Sequence, residues 1–323
     1  MSTSAAGPSR EAAEPPSRPT WLLTGATGFL GRHVLEQLDR EPGALTVAPF
    51  QGDITVQPGE LPEPLSGIVH LAALVSHRRG DAARVMLVNV EGTLNMIRLA
   101  ARHRCRMVFV STSGTVGCFR EPDRTAFEDA PFSEAETRHW PYYRSKIEAE
   151  RQGRALAEQL GVQLVVVRPP ILLGPGDHRR RSSAHVKRLM DGQVPFVIHG
   201  GMHFADVRDV AAALIRIMRL PAPRPVYHLP GIQCSIEEFY RQVAELAGVR
   251  PPRRAIPYRL ARAAALVSST LHLHLLPDPT LVEMAAHFWG LGSRYAESEL
   301  GYRTRPGTET LRDTIHWLRE HPA

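Results

Sequence analysis

A short apolar run that opens into a glycine-rich turn and then a helix constrains this chain more than any other feature. Trp21–Leu23 is the apolar run, the sequence TGATGFLG follows at 24–31, and apolar residues then recur at helical spacing over 34–38. A strand, a glycine turn and a helix in this order form the context that a phosphate-binding loop requires. The sequence therefore predicts a site for the pyrophosphate of a dinucleotide at residues 24–31.

The three glycines of this loop have distinct predicted tasks. Gly25 permits a tight turn, Gly28 lets the backbone approach the pyrophosphate, and Gly31 lets the helix pack closely on the strand. The start of the helix adds unpaired N–H groups and a partial positive charge, which attract the anion. The predicted cofactor contacts in this segment are Gly25, Thr27, Gly28, Phe29, Leu30, Gly31 and Arg32.

Strand and helix patterns alternate along the first half of the chain. This alternation predicts an α/β fold with a Rossmann-type, doubly wound parallel sheet, in which ligands bind beyond the carboxyl ends of the strands. The predicted strands are Leu45–Phe50, Gly67–Leu71, Arg106–Ser111 and Val162–Val167, and the predicted helices cover 81–103 and 140–160. The residues predicted to form the cofactor wall at the strand ends are Asp53, Ile54, Leu71, Ala72, Ala73, Ser111, Pro169 and Ile171.

Lysine is rare in this chain, and one of its two occurrences stands four residues after a tyrosine. The 39 basic residues include only Lys146 and Lys187 as lysines. A lysine kept against such a bias for arginine indicates a position that needs a compact ammonium group. Tyr142 and Lys146 share one face of a predicted helix. The pair can make the tyrosine a usable proton donor or acceptor, although solvated surface pairs have the same spacing.

With the glycine loop and the Tyr142–Lys146 pair in place, the chain resembles the extended short-chain dehydrogenase/reductase family, within the NAD-dependent epimerase/dehydratase superfamily. Its pattern is similar to those of dihydroflavonol reductases, 3β-hydroxysteroid dehydrogenases and hopanoid-associated members. The matching segments are TGATGFLG (24–31), GDI (52–54), VHLAA (69–73), NVEGT (89–93), VSTSGTV (110–116), YYRSK (142–146), RPPILLGPGD (168–177) and HFADVRDVA (203–211).

The resemblance implies catalytic roles for Ser113, Tyr142 and Lys146. In the family, the tyrosine exchanges a proton with the substrate oxygen and the serine hydrogen-bonds the same oxygen. The lysine binds the nicotinamide ribose and lowers the pKa of the tyrosine. Ser111 is the alternative to Ser113, and the spacing to the following residues favours Ser113. Asn89 matches an asparagine on the cofactor side, with helix packing as its alternative role.

The segment between the first helix and Asp53 is too short for the two strands that family members usually have there. Only 43–51 is available, so one strand is predicted to be missing and Leu45–Phe50 is predicted to pair beside the first strand. The end of this strand lacks the acid typical of NAD binding and the arginine typical of NADP binding. The expected cofactor is NAD(P), and the choice between NAD and NADP stays open. Arg32 and Arg40 are candidate phosphate ligands, and Asp53 is a candidate ligand of the ribose or adenine.

Composition divides the chain into three predicted regions. Residues 1–20 are rich in Ala, Ser and Pro and lack an apolar core, which predicts a disordered tail and not a signal peptide. The dinucleotide-binding domain is predicted at 21–175 plus 199–230. A smaller, mostly helical substrate lobe is predicted at 176–198 plus 231–323.

Charge and cysteine content limit the expected partners. The net charge is +6, but the basic residues are interspersed with 33 acids and no nucleic-acid-binding motif occurs, so no nucleic-acid partner is expected. Without a run of 18 apolar residues, no membrane partner is expected. Three scattered cysteines fit the cytoplasm, and His272 and His274 lack a third ligand, so no metal is expected. The resemblance leaves room for a homodimer.

Residues after the serine motif and in the second half narrow the substrate without naming it. Gly117-Cys118 replaces the Tyr-Gly of many relatives, which predicts an opened or reshaped substrate side, with Cys118 as a packing residue. Gly114-Thr115 replaces the Asp-Glu pair of sugar-nucleotide dehydratases, and Met202 replaces an arginine that serves nucleotide diphosphates in epimerases. Arg179–Arg181 is either a grip for an anionic group or a solvated loop.

The predicted function is that of an NAD(P)-dependent alcohol dehydrogenase or ketoreductase. A hydride passes between the nicotinamide and a carbonyl or hydroxyl carbon of a small, fairly apolar substrate, and Tyr142 is the general acid or base. A sugar or nucleotide-sugar epimerase that retains NAD is the first alternative. A non-catalytic dinucleotide sensor is the second.

Overall fold

The computed structural model describes residues 20–41, 45–56, 58, 61, 65–194, 196–252, 254–270 and 278–322. The predicted tail lies outside these residues, except for Thr20, and so do His272 and His274.

Strands and helices alternate as the sequence predicts. The strands are β1 (Thr20–Thr24), β2 (Thr46–Pro49), β3 (Leu65–His70), β4 (Arg106–Val110), β5 (Cys118–Phe119), β6 (Leu164–Arg168), β7 (Ile171–Leu173), β8 (Val197–Ile198), β9 (Gly201–Asp206), β10 (Val226–His228), β11 (Ile232–Ser235), β12 (Ala255–Ile256) and β13 (Phe288–Trp289). The α-helices are α1 (Phe29–Arg40), α2 (Ala82–Met86), α3 (Gly92–Arg102), α4 (Glu134–Thr137), α5 (Pro141–Leu160), α6 (Ala184–Met190), α7 (Val207–Arg219), α8 (Ile236–Ala247), α9 (Tyr258–Thr270), α10 (Pro279–Ala285), α11 (Ala296–Leu300) and α12 (Gly307–Glu320). A π-helical turn at Leu87–Glu91 joins α2 to α3.

Six parallel strands form the central sheet, in the order β2-β1-β3-β4-β6-β10. The prediction of a Rossmann-type parallel sheet is therefore confirmed. β2 pairs with β1 from Thr20 opposite Thr46 to Leu23 opposite Pro49, as expected for the shortened segment. Among the described residues, β2 is the one strand between β1 and this edge of the sheet. The strand order reverses between β1 and β3, which is where such sheets bind ligands.

Helices cover both faces of this sheet because its inner strands are apolar on both sides. Along β4, Met107 and Phe109 contribute to one core with α3 and α5, whereas Val108 and Val110 contribute to the other with α1 and α7. Side chains of a strand alternate between faces, so an uninterrupted apolar run such as that of β4 requires cover on each side. The carboxyl ends of the strands remain at one edge between the two layers.

The C-terminal part forms a second layer beside the strand ends. β7, β9 and β11 make a three-stranded sheet, and α6, α8 and α12 pack on it around Phe204 and Phe239. The expectation that 199–230 returns to the central sheet holds for β10, whereas β9 pairs with β7 and β11. Leu300 and Tyr302 pack into the core of the dinucleotide-binding half. This short stretch falls within the predicted substrate lobe, but it packs with the other region. No helix in the described ranges combines the length and hydropathy needed to cross a membrane.

Gly31 is the position where the fold tolerates a side chain least near the predicted loop. A Cβ atom there would lie 2.3 Å from the Gly25 carbonyl oxygen, whereas a Cβ atom on Gly80 would meet nothing within 4 Å. We expect Gly31→Ala to lower the free energy of unfolding by about 1–3 kcal/mol through overpacking. Urea denaturation of both variants tests this, because Gly80→Ala should change stability by less than about 0.5 kcal/mol. Equal stabilities of the two variants would contradict the packing argument.

Candidate active site

The glycine loop forms the tight turn that the sequence predicts. Gly25 has φ +72°, and the Gly28 N–H donates to the Gly25 carbonyl at 2.9 Å. A Cβ atom on Gly25 would lie 2.8 Å from the Ala72 backbone nitrogen, so only glycine fits between β1 and the end of β3. Gly31 packs against the Gly25 carbonyl and Ala26, not against strand β1 as expected, because α1 begins directly above the turn.

The N-terminus of α1 is left without a side-chain cap. Gly28 is the N-cap residue and makes no side-chain hydrogen bond, and the first backbone bond back from the helix runs from Arg32 to Gly28 at 3.1 Å. The N–H groups of the first turn are therefore available to an anion. Thr27 is exposed beside them, whereas Phe29 and Leu30 pack into the adjoining core. Arg32 donates from Nε to the Thr27 carbonyl at 3.2 Å.

A buried histidine joins the glycine loop to the helix that follows β3. The Thr24 hydroxyl and His70 Nδ1 are 2.7 Å apart, and His70 Nε2 lies 3.2 Å from the Thr93 hydroxyl. Burial, with Lys146 adding to it, lowers the pKa of His70 to about 3. Thr24 also accepts a hydrogen bond from the Ala72 N–H, so this chain of contacts fixes the end of β3. The motif VHLAA contained His70, but residue spacing gave no sign of its buried partners.

Asn89 lies in the π-helical turn and holds backbone in place. Its Oδ1 accepts from the Leu74 N–H at 2.7 Å, and its Nδ2 donates to the Leu74 carbonyl at 3.0 Å and to the Ser145 hydroxyl at 2.8 Å. Ser145 in turn donates to the Tyr142 carbonyl at 2.7 Å. These contacts support the alternative packing role, because the amide of Asn89 connects the loop after β3 to helix α5.

Two other predicted cofactor residues differ in their exposure. Asp53 is exposed, and hydrogen bonds from the Thr55 N–H and hydroxyl hold the pKa of its carboxyl below the usual range. Ile54 is buried and packs where Gly92 of α3 leaves room. The side chain of Ile54 is therefore part of the core, and only its backbone can face a ligand. Asp53 stays a candidate cofactor ligand.

Lys146 is buried at the carboxyl end of β4. Its Nζ donates to the Val110 carbonyl at 2.9 Å and lies 4.7 Å from the centre of the Phe109 ring. Burial lowers the pKa of Lys146 to about 8, although the nearby Glu150 carboxylate opposes this shift. A compact ammonium on a flexible stem fits such a position, where a guanidinium would not.

The two candidate serines after β4 have different partners. Ser111 donates from its hydroxyl to Glu150 Oε1 at 2.5 Å, and this carboxylate also accepts from Thr115 at 3.0 Å and from Arg168. The Ser111 hydroxyl therefore already has a hydrogen-bond partner, the buried Glu150 carboxylate. The Ser113 hydroxyl has no hydrogen-bond partner in the described part of the chain, while its N–H donates to the Pro169 carbonyl at 2.8 Å. The structure thus favours Ser113 as the serine that can contact a ligand.

Tyr142 lies in the first turn of α5, four residues before Lys146. Among the described residues, its hydroxyl has no hydrogen-bond partner. Burial raises the pKa of Tyr142 to about 12. Burial is the cause of this shift, and the Lys146 ammonium is directed to the Val110 carbonyl. The lowering of the Tyr142 pKa by Lys146, which the resemblance implies, stays a prediction.

Aromatic rings surround Tyr143, the residue after Tyr142. We name this group the aromatic cluster; its members are His77, Trp140, Tyr143 and Trp289. Tyr143 lies at the centre of this cluster, with ring centroids 5.7 Å from His77, 5.9 Å from Trp140 and 5.3 Å from Trp289. Gly114 gives space to the Tyr143 ring, since a Cβ atom there would lie 2.1 Å from Cε1. The Gly114-Thr115 sequence therefore has a packing reason.

The departure at Gly117 coincides with a contact between this segment and the C-terminal part of the chain. Gly117 accepts a hydrogen bond from the Gly290 N–H at 3.0 Å, and β5 pairs antiparallel with β13. A Cβ atom on Gly117 would lie 2.6 Å from the Gly290 carbonyl oxygen. Cys118 is buried beside this contact, and burial raises the pKa of its thiol, which agrees with the predicted packing role.

The arginine-rich loop after β7 is held by hydrogen bonds within the loop and to other parts of the chain. Asp177 accepts hydrogen bonds from the backbone of residues 182 and 183. Arg180 donates to the His321 carbonyl, and Arg181 donates to the Val75 carbonyl at 3.4 Å. Arg179 is exposed. Two of the three guanidinium groups thus have protein partners, which weakens the prediction of an anion grip.

A glycine loop on a parallel sheet, next to a Ser-Tyr-Lys set at the carboxyl ends of its strands, defines a dinucleotide-binding enzyme of the short-chain dehydrogenase/reductase type. Residues 21–229 match the NAD dependent epimerase/dehydratase family, and the chain belongs to this family. The predictions of an extended short-chain dehydrogenase/reductase and of an NAD(P)-dependent enzyme are confirmed. The roles of the individual site residues stay predictions.

Three relatives are similar over nearly their whole length. The chain is 28% identical to sterol demethylase protein B of Methylococcus capsulatus, with 93% of this chain and 98% of the relative covered. It is 27% identical to the 4-hydroxy-2-methyl-3-oxo-4-farnesyl-3,4-dihydroquinoline-1-oxide ketoreductase of Stigmatella aurantiaca, with 88% and 92% covered. It is 25% identical to 3 beta-hydroxysteroid dehydrogenase type 7 of Mus musculus, with 93% and 95% covered.

Solved structures share the fold at lower identity. The crystal structure of gox2253 has a TM-score of 0.75 and 24% identity, with 95% of this chain and 99% of that chain covered. MoeE5 in complex with UDP-glucose and NAD has a TM-score of 0.69 and 22% identity, with 93% and 99% covered. RMD from Pseudomonas aeruginosa complexed with NADPH has a TM-score of 0.70 and 20% identity, with 94% and 100% covered.

The different partners of the two serines generate a stability prediction. Ser111→Ala removes a hydrogen bond to the buried Glu150 carboxylate, and we expect it to lower the free energy of unfolding by about 1.5–3 kcal/mol. Ser113→Ala removes no protein hydrogen bond of the side chain, and we expect a change within about 0.5 kcal/mol. Urea denaturation of both variants is the measurement. A larger loss in Ser113→Ala than in Ser111→Ala would reverse the assignment.

The buried ammonium of Lys146 generates a pH-dependence prediction. Because its pKa is about 8 in the folded protein and 10.5 in the unfolded chain, the unfolded state binds more protons between these values. The contribution of this residue to stability therefore rises with pH across that window. We expect the unfolding free energy of the wild type, relative to Lys146→Met, to increase by about 2–3 kcal/mol between about pH 7 and about pH 10.

Urea denaturation at several pH values measures this difference. Lys187→Met removes the other lysine of the chain and is the matched control. A difference between wild type and Lys146→Met that stays constant over the window would contradict the burial argument.

Proposed function

We propose that this protein is an NAD(P)-dependent ketoreductase or alcohol dehydrogenase in which Tyr142 exchanges a proton with the substrate oxygen. One observation carries the proposal. The Tyr142 and Ser113 hydroxyls have no protein hydrogen-bond partner within the described residues. Ser113 lies shortly after the end of β4, and Tyr142 lies one turn of α5 before Lys146, whose ammonium contacts that end. A substrate oxygen would provide the missing partner for both hydroxyls.

The described residues fit a nicotinamide dinucleotide. The uncapped start of α1 and the close turn at Gly25 suit a pyrophosphate, and the loop at Leu71–Ala73 flanks the turn. Lys146 would hold ribose hydroxyls, and Arg32 and Asp53 are candidate ligands of the adenosine end. When bound, the cofactor supplies or accepts the hydride.

The protein groups can supply the proton chemistry of a carbonyl reduction. Tyr142 is protonated at neutral pH, since burial keeps its pKa near 12, and it can donate its proton as the substrate oxygen gains charge. The Ser113 hydroxyl donates a hydrogen bond to the same oxygen. The Lys146 ammonium then stabilises the phenolate of Tyr142, because opposite charges attract more strongly in a buried site than in water.

The substrate class we propose is an apolar ring ketone or the corresponding alcohol. The partly buried rings of His77 and Trp289 in the aromatic cluster give the site an aromatic side near Tyr142. The names of the three relatives refer to a sterol, a hydroxysteroid and a farnesyl dihydroquinoline, which all contain fused rings. The ketoreductase among them supports the reaction class proposed for this chain.

The epimerase alternative rests on the family name and predicts different cofactor behaviour. A reductase consumes added NADH or NADPH in proportion to product, whereas an epimerase retains its cofactor and shows no net consumption. The buried Met202 speaks against a nucleotide-sugar substrate, because no cation occupies that position to meet a diphosphate. Homodimer formation and a cytoplasmic location stay predictions, and light scattering of the purified protein tests the first.

Tyr142→Phe tests the proposed proton transfer. We expect the kcat for reduction of a bicyclic ketone such as 1-tetralone to fall by at least about 10²-fold, because general acid catalysis contributes this much or more. Cofactor binding, followed by fluorescence titration, should be retained. Tyr295→Phe is the matched control and should preserve turnover, since Tyr295 packs against the core of the dinucleotide-binding half and lies outside the aromatic cluster. Unchanged turnover in Tyr142→Phe would overturn the proposed function.

A further inference from the structure

His77 is the nearest aromatic ring to Tyr142 on the side of the loop that follows β3. The two ring centroids are 5.7 Å apart and the rings meet edge to face at 86°. The His77 ring also stacks on Tyr143, with centroids 5.7 Å apart and an angle of 28° between the planes. His77 therefore lies in contact with both the proposed proton donor and the centre of the aromatic cluster.

The polar atom of this ring is buried without a partner. His77 Nδ1 has no hydrogen bond in the part of the chain that the structure describes. Leaving such an atom unsatisfied costs about 1–3 kcal/mol, so its retention in a folded protein calls for an explanation. Burial, with nearby His185 adding to it and Asp278 opposing it, lowers the pKa of His77 to about 4. The ring is neutral at neutral pH and has one donor and one acceptor nitrogen.

The backbone around His77 is held in place. Asn89 binds both backbone groups of Leu74, and the Ser76 hydroxyl donates to Asp81 at 2.6 Å while accepting from the Arg78 N–H at 3.3 Å. These bonds hold the backbone on both sides of His77, and rotation of the ring toward solvent would break its stacking on Tyr143.

Other polar atoms without partners lie in different surroundings. Trp140 Nε1 belongs to a residue with no exposed surface, and His203 Nδ1 belongs to a buried strand residue whose other ring nitrogen accepts from the Gly231 N–H. His77 differs from these two because its side chain is only partly buried and touches the Tyr142 ring. A ligand that packs against the Tyr142 ring would therefore adjoin the His77 ring, and a small displacement of the neighbouring side chains would open Nδ1 to it.

We propose that His77 is a substrate-binding residue whose Nδ1 forms a hydrogen bond with a second oxygen of the substrate, on the carbon next to the reacting carbonyl. The proposal rests on the proposed function and narrows its substrate class. Apolar ring ketones that carry a hydroxyl or a second carbonyl beside the reacting group satisfy both His77 and the Tyr142–Ser113 pair. Ketones without the second oxygen leave the buried nitrogen of His77 unpaired.

Two probes and two variants test this inference. 1-Tetralone and 2-hydroxy-1-tetralone differ by the one hydroxyl that His77 would bind. His77→Phe keeps an aromatic ring for the Tyr143 stack and removes both nitrogens, whereas His77→Gln restores hydrogen bonding without the ring. His139→Phe, at an exposed histidine, is the matched control. The readout is the Kd of each probe for the protein saturated with NADP⁺ or NAD⁺, measured by calorimetry, together with kcat/KM.

We expect the wild type and His139→Phe to bind 2-hydroxy-1-tetralone about five- to tenfold more tightly than 1-tetralone, as one hydrogen bond allows. In His77→Phe this ratio should fall to about one, and His77→Gln should recover part of it. Cofactor affinity of His77→Phe should match that of the wild type, and its thermal stability should be equal or higher, because the variant removes a buried polar atom without a partner. Both readouts separate a lost contact from a misfolded site.

Several results would overturn the inference. These are an equal affinity of the wild type for the two probes, a preference that persists in His77→Phe, or the failure of both probes to bind. The binding ratio does not depend on turnover. If Tyr142→Phe retains turnover while His77→Phe loses the ratio, the proposed proton transfer fails and the binding role of His77 stands. If Tyr142→Phe loses turnover while the binding ratio is unchanged in His77→Phe, the proposed proton transfer stands and the binding role of His77 fails.

Discussion

The ion pair between Glu150 and Arg168 holds the candidate active site together. Glu150 follows Lys146 by one turn of α5 and has no exposed surface, and its carboxylate accepts hydrogen bonds from Arg168, Ser111 and Thr115. Burial opposes the ionisation of Glu150, but Arg168 and Ser111 outweigh it and keep its pKa below the ordinary value. Loss of one partner would leave a buried charge uncompensated, at a cost of about 3–5 kcal/mol. The pair thus fixes α5, the loop that contains Ser113, and the end of β6 relative to one another.

The same network reaches the C-terminal part of the chain. Arg168 lies 3.2 Å from His228 Nε2, and His228 Nδ1 lies 2.9 Å from the Gly292 carbonyl oxygen. Burial, with Arg168 adding to it, lowers the pKa of His228 to about 4, so the ring is neutral and can donate to Gly292 while accepting from Arg168. Gly292 follows β13, which contains Trp289 of the aromatic cluster. The substrate side is therefore attached to the strand ends that hold the catalytic candidates.

Features that depend on short spacing were predictable from the sequence, and features that depend on distant partners were not. The glycine turn, the strand–helix alternation and the single strand outside β1 follow from local pattern and segment length. The partners of Ser111 and His228 lie 39 and 64 residues away in the chain and become neighbours only through packing. The placement of β9 in the second sheet and the closure of Gly117 by Gly290 have the same origin. No local pattern indicates that His77 Nδ1 is buried or that burial dominates the pKa of Tyr142.

Burial also has a consequence for the direction of the proposed chemistry. It raises the pKa of Tyr142 to about 12 and lowers that of Lys146 to about 8, so the site disfavours either charge alone. When the phenol donates its proton, the resulting phenolate and the ammonium compensate each other in a medium of low dielectric constant, where opposite charges attract strongly. Proton donation by Tyr142 thus gives the buried Lys146 ammonium an opposite charge on the phenolate, in addition to that of Glu150. The resting state has a protonated phenol, as reduction of a carbonyl requires, and the same attraction retains the phenolate that the reverse reaction needs as its base.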